Sequence, residues 1–211
     1  MPAMYTSNMK SYAQLNQDIW VLELLQKRNG YFVEFGAHHP EKLSNTKLLE
    51  EHGWRGVSVD PFPHGDWTTR PNTMLIYNAV TCDGRQIEFV KADELGGIAE
   101  HISAHAAAVK DADRATLSSI TPSDVLTAAN APREIDYISL DVEGAELEIL
   151  RAFPFDEYDV TLMTVEHNYE EPKRRNMRNL LRTKGFRLIA NNRWDDCYVH
   201  ERVLQNVDEY Q

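Results

Sequence analysis

Short apolar runs recur along the chain, and each ends on or near a polar side chain: "YFVEFG" (31–36), "GVSVD" (56–60), "MLIYNAV" (74–80), "IDYISLD" (135–141) and "VTLMTVE" (160–166). Near-continuous apolar strands belong to a sheet buried on both faces. Helical signals fill the gaps between them. Leu15, Ile19, Leu22 and Leu25 recur at helical spacing over 13–27, and Asn29-Gly30 stops that helix. Ser44 is placed to cap a helix that carries Leu48 and Leu49 and ends near Gly53. Thr121-Pro122-Ser123-Asp124 reads as a helix start, with Thr as cap and Pro in the first position. Helices over Gly144–Ala152 and over a basic stretch near 173–184 complete the set. Alternating strands and helices predict an α/β fold with a mostly parallel sheet covered on both faces. "FRLIANN" and "DCYVHE", joined by a short link, predict an antiparallel pair at its edge. "IEFVKA" (87–92) is expected beside the third strand. Residues 93–118 have no clean period and read as a mobile insertion with a helix around 99–109, a substrate lid.

With 211 residues, 42% of them hydrophobic, the chain can bury one sizeable core, and a single domain over 1–211 is expected. A net charge of −11 disfavours nucleic acid as the default partner. No run approaches the ~18 apolar residues of a membrane span. Met1–Lys10 lacks the apolar core of a signal peptide, and Cys82 and Cys197 form no metal or redox motif. The expected location is the cytoplasm. No pattern marks an oligomeric state.

In parallel sheets, ligands sit beyond the carboxyl ends of the strands. Those ends carry Glu34, Asp60, Asn78, Asp141 and Glu166. Gly36 lets backbone come close to a ligand, and a carboxylate at Asp60 can accept both hydroxyls of a ribose. The plainer alternative is that Glu34 and Asp60 cap neighbouring helices. Gly36 is followed by Ala37-His38-His39-Pro40, so the close-approach glycines of a dinucleotide loop are missing. A cofactor with a ribose and no phosphate, such as S-adenosylmethionine, fits better. "DVEGAELEIL" (141–150) sets Asp141, Glu143 and Glu146 around a helix start, where the dipole stabilises acids. From the strand tip Asp141 also faces a cofactor or a metal. "EHN" (166–168) follows the next strand. Asp141, Glu166 and Asn168 would form an oxygen-rich cluster suited to Mg²⁺ rather than zinc. His167 is either a structural residue or a general base. Asp141, Glu143 and His167 are thus the candidates for the chemistry. Adjacent His38 and His39 diverge on an extended loop and, with no cysteine or third histidine close in sequence, make a weak case for zinc. His101 and His105 share a face if their segment is helical, turned either to substrate or to solvent.

These pieces resemble FkbM-type S-adenosylmethionine-dependent methyltransferases. The resemblance is carried by "SYAQLNQDIW" (11–20), "FVEFGAHHPEKLSNTKLLEEHGWRGVSVDP" (32–61), "YNAV" (77–80), "IDYISLDVEGAELEIL" (135–150) and "VTLMTVEHN" (160–168), in family order. It implies a class I methyltransferase (Rossmann-like) fold with a seven-stranded sheet, and methyl transfer to a hydroxyl of a sugar, polyketide or similar small molecule. It also implies that Glu34, Gly36 and Ala37 line the methionine side of the cofactor, and that Asp60, with Pro61 beside it, holds the ribose. Asn78 and Ala79 would flank the adenine, Gln17 and Asn45 would support the loop, and Asp141 would sit near the reacting end. The chain departs from the family at Pro40, where a second glycine is usual, and at His38-His39. Pro40 is the feature that favours the alternative, a non-catalytic cofactor-binding or regulatory protein. A nucleotide-sugar or NAD enzyme is weakened by the missing glycines.

Overall fold

The computed structural model describes residues 9–208; the outermost residues of the expected 1–211 domain lie outside them. In chain order the first elements are α1 (Gln17–Leu25), β1 (Tyr31–Phe35), α2 (Lys47–Glu51), β2 (Arg55–Val59) and β3 (Thr73–Ile76). Then come β4 (Gln86–Lys91), β5 (Gly97–Ile98), β6 (Asp113–Ser118) and α3 (Pro122–Ala128). β7 (Glu134–Leu140), α4 (Glu146–Ala152), β8 (Asp159–Glu166), α5 (Glu171–Thr183), β9 (Phe186–Asn192), β10 (Asp195–His200) and α6 (Glu201–Asp208) complete the order. The main sheet has seven strands in the order β3-β2-β1-β7-β8-β10-β9. Only β10 runs antiparallel to its neighbours. This is the class I methyltransferase arrangement, with the expected antiparallel edge.

Every residue of β1 is buried. Tyr31, Val33 and Phe35 pack on one face with Ile149, Leu150 and Leu181, whereas Phe32 packs on the other with Val21, Leu22, Leu49 and Trp54. The period-two side-chain alternation of a strand therefore feeds two apolar layers, which is why the sequence shows an unbroken apolar run. α1 begins at Gln17 rather than near residue 13, because Asn16 takes a left-handed backbone conformation (φ 59°) that a helix cannot continue through. The Thr121 hydroxyl accepts from the Asp124 amide at 3.2 Å, the expected cap of α3.

Three expectations fail. β4 does not pair with β3. It belongs to a separate antiparallel sheet, β5-β4-β6, in register from Gln86↔Ser118 to Lys91↔Asp113. Its own pattern explains this: Ile87 and Phe89 are buried and Gln86 and Glu88 exposed, the alternation of a sheet with one wet face. Residues 99–109 form turns rather than a helix, and 113–118 is a strand. The insertion is tied down at its base. His101 Nε2 lies 2.6 Å from Glu148 Oε2 on α4, Ser103 donates to Glu170, and Arg85 bridges Glu148 and Glu100 at 2.5 Å each. Finally, α6 follows β10 directly, where no helix was expected.

Candidate active site

A cavity of about 440 Å³ opens at the carboxyl ends of β1, β2, β7 and β8, within the range of small-molecule sites. Gly36 makes its floor possible. Its φ is 85°, and a Cβ there would lie 1.6 Å from the Asp141 carbonyl oxygen. Backbone therefore touches backbone where β1 and β7 end, with the Asp141 amide donating to Phe35 O at 3.0 Å. Asp60 is fixed by two backbone donors, the His38 amide at 2.9 Å and the Phe62 amide at 2.8 Å. Burial raises its pKa, and each oxygen keeps lone pairs for the cavity. Ala37, Pro61 and Ala79 line the same side. So do Asn45 and Asn78, whose Oδ1 atoms are buried and find no hydrogen-bond partner among the described residues. A buried acceptor left unpaired costs about 1–3 kcal/mol, so two of them in one cavity suit a ligand with donors.

Glu34 is not on the wall. It lies beneath the floor, accepting from Ser58 Oγ (2.6 Å), Thr46 Oγ1 (2.9 Å) and the Asn45 amide (3.2 Å). β1 turns it toward the loop before α2, so it positions Asn45 instead of touching a ligand. Gln17 also stands behind the site. It donates to Asp195 Oδ2 at 2.7 Å and accepts from the Leu15 amide at 2.9 Å. His167 is buried off the cavity. Its Nδ1 accepts from the Tyr169 amide at 3.0 Å and its Nε2 faces Asp196 at 3.7 Å. Following Glu166 in the chain, it is turned away from the wall that Glu166 lines. Pro40 lies off the wall as well, with its carbonyl accepting from Arg70 at 3.0 Å.

The opposite wall is acidic. The register Leu140↔Val165 sets Asp141 opposite Glu166, and Glu166 pairs with Asp195 on β10. A row of carboxylates thus crosses three strands, about 4.8 Å apart. Asp141, Glu143 and Glu166 each bring an oxygen within 4.8 Å of the others. Lys173 pairs with Glu146 at 3.2 Å and Glu170 at 3.1 Å, and its charge offsets the rise at Glu143 only in part. Burial, followed by repulsion from Asp195 and Glu143 at Asp141 and from Asp141 and Glu143 at Glu166, raises both well above the usual carboxylate range. Burial first, then neighbouring acids, raises Glu143 to about 7 and Asp195 to about 6. The Asn168 amide donates to Glu143 at 3.2 Å. An all-oxygen donor set of this kind fits a hard ion such as Mg²⁺.

His105 is the residue that pattern reading underrated. With 99–109 in turns, His101 goes to Glu148, while His105 lines the cavity with Nε2 3.6 Å from Glu143 Oε2. Tyr169 and Trp194 also line this end, and nothing in the spacing of either marked it.

The acidic row has a thermodynamic consequence. A carboxyl whose folded pKa is raised binds its proton in the native state while the unfolded chain has released it, so stability falls as pH rises through that window. The ligand-free protein should gain melting temperature as the pH is lowered from about 8 to about 6.5. Below about 6.5 the buried His167 and the half-buried His200, whose pKa values desolvation depresses, begin to act the other way. Calorimetric scans across this range should show the rise, and Glu166→Gln should flatten it. A flat wild-type profile would mean that the row is already neutralised.

Among the described residues no helix is long and apolar enough to cross a membrane. No curated protein matches the sequence. Among solved structures, a precorrin-6y C5,15-methyltransferase from Geobacter metallireducens GS-15 is similar over 92% of this chain and 91% of that one, with a TM-score of 0.42 and 9% identity. The methyltransferase FkbM domain matches residues 34–188, a span that runs from the buried Glu34 through Asp141 and Glu166 into β9, and the chain belongs to that family.

Proposed function

We propose that the chain transfers the methyl group of S-adenosylmethionine to a hydroxyl oxygen of a small uncharged acceptor. The observation that carries this reading is the meeting of two unlike walls in one cavity. One offers Asp60 and the unpaired Asn45 and Asn78 oxygens; the other offers the carboxylate row and His105. The ribose hydroxyls would bind Asp60, the adenine would lie beside Asn78 and Ala79, and the methionine end would cross Gly36 and Ala37 toward Asn45. The cofactor's sulfonium charge would draw Asp141 and Glu166, raised in the ligand-free protein, back toward their ionised forms. His105 would take the hydroxyl proton as the oxygen–carbon bond forms and the methyl–sulfur bond breaks, the sulfonium leaving as a neutral thioether, and Glu143 would stabilise the resulting imidazolium. Most of the rate would come from holding the two reactants in line.

Among the described residues, no lysine or arginine lines the cavity. A phosphate or carboxylate on the acceptor would find no counter-charge there, so a sugar or polyketide hydroxyl fits better. The second reading, favoured by the oxygen cluster, is that Asp141, Glu143 and Glu166 hold Mg²⁺, which would acidify the acceptor hydroxyl. Full activity in EDTA separates the two. Pro40 no longer supports a non-catalytic protein, because it does not line the cavity.

The cofactor half is tested by titration calorimetry with S-adenosylmethionine. Asp60→Ala should weaken binding by about 1.5–3 kcal/mol, the scale of hydrogen bonds to a charged group. Unchanged affinity would place the ribose elsewhere.

A further inference from the structure

We infer that His38, His64 and Asp93 form a binding site for a divalent transition-metal ion of the zinc class at the mouth of the cavity. The three come from separate segments: His38 from the loop after β1, His64 from the loop after β2, and Asp93 from the short turn after β4. Each contributes one donor atom, and these atoms all lie within 4.8 Å of one another. His64 Nε2 is 3.2 Å and His38 Nε2 is 3.9 Å from the same Asp93 oxygen. Tetrahedral bonds of about 2.0–2.1 Å would separate ligand atoms by about 3.3 Å, so only small side-chain adjustments close the site. Two imidazoles and one carboxylate suit zinc, nickel or copper rather than Mg²⁺, the reverse of the acidic row.

The histidine half is prearranged by backbone. The His64 amide donates to His38 O at 2.6 Å, and the His38 amide is held by Asp60. The neighbouring His39 is excluded, because its Nδ1 already accepts from the Glu41 and Lys42 amides at 3.1 Å each. The sequence therefore offered the wrong pair of histidines: the true partner of His38 is 26 positions along the chain, brought back by β2. Without an ion the cluster holds only exposed ion pairs, which contribute about 0–1 kcal/mol. With one, the insertion is fastened to the two loops that carry Gly36 and Asp60. Three protein ligands leave a coordination position open, and His38 and Asp93 both line the cavity.

The site stands independently of the reaction assigned above. Its test is titration of the untagged full-length protein with ZnCl₂, followed by calorimetry, and with CoCl₂, followed by visible absorption. One equivalent should bind, with the cobalt form showing tetrahedral absorption, and excess Mg²⁺ should not compete. His64→Ala and Asp93→Asn should each weaken binding at least about tenfold. Their side chains are 56% and 65% exposed, so neither change threatens folding. Glu166→Gln should leave zinc binding intact. Absence of saturable binding below about 1 mM, retention in both mouth variants, or loss in Glu166→Gln would overturn the assignment.

Discussion

Arg70→Ala should destabilise the fold by about 3–5 kcal/mol, the cost of stranding a buried partner charge. The guanidinium is fully buried. It pairs with Glu50 and donates to Pro40 O (3.0 Å), Ser44 Oγ (3.3 Å), Thr46 Oγ1 (3.0 Å) and Thr73 Oγ1 (3.1 Å). Its charge also opposes the burial that raises Glu34. Truncation would leave Glu50, and Glu34 beneath the cavity floor, without their cation. Urea unfolding measures the loss, and Arg70→Lys should recover only part of it, since an ammonium cannot reach all of these acceptors. A loss below about 1 kcal/mol would show that water replaces the network, contrary to its burial. Through Thr46 and the Asn45 amide the same network sets the wall on which the cofactor is proposed to lie.

The larger effect on turnover is expected at His105. His105→Ala should lower methyl transfer to a hydroxyl acceptor by about 10²–10⁴-fold, the range for a general base, with S-adenosylmethionine affinity nearly unchanged. His167→Ala should instead act on stability. Asp196, which His167 faces, is held at about 2 by Arg174 and Arg178 against the opposing effect of burial. A His105 variant with wild-type turnover would remove it from the chemistry.

What was legible in the sequence followed from strong local patterns. The apolar strands, the cap at Thr121 and the polar strand tips are properties of short segments, and they fixed the parallel sheet and the place of Asp60, Asn78 and Asp141. Glu34 reads the same way as Asp60, yet it lies inside β1 rather than after its last residue, so its side chain is committed to Ser58 and Thr46 beneath the sheet. The strand in the insertion escaped pattern reading because β6 is mostly exposed and carries no apolar alternation strong enough to register, and because its partner β4 lies across a long turn segment. His105 and His64 depend on those non-local contacts. Their roles are set by Glu143 and Asp93, which neither spacing nor composition connects to them.

A crystal structure grown with S-adenosylhomocysteine tests methyl transfer from this cofactor most directly. The ribose should lie on Asp60, the adenine beside Asn78 and Ala79, and the thioether sulfur should point toward Asp141, Glu166 and His105. A nucleoside bound elsewhere, or none at saturating ligand, would contradict it.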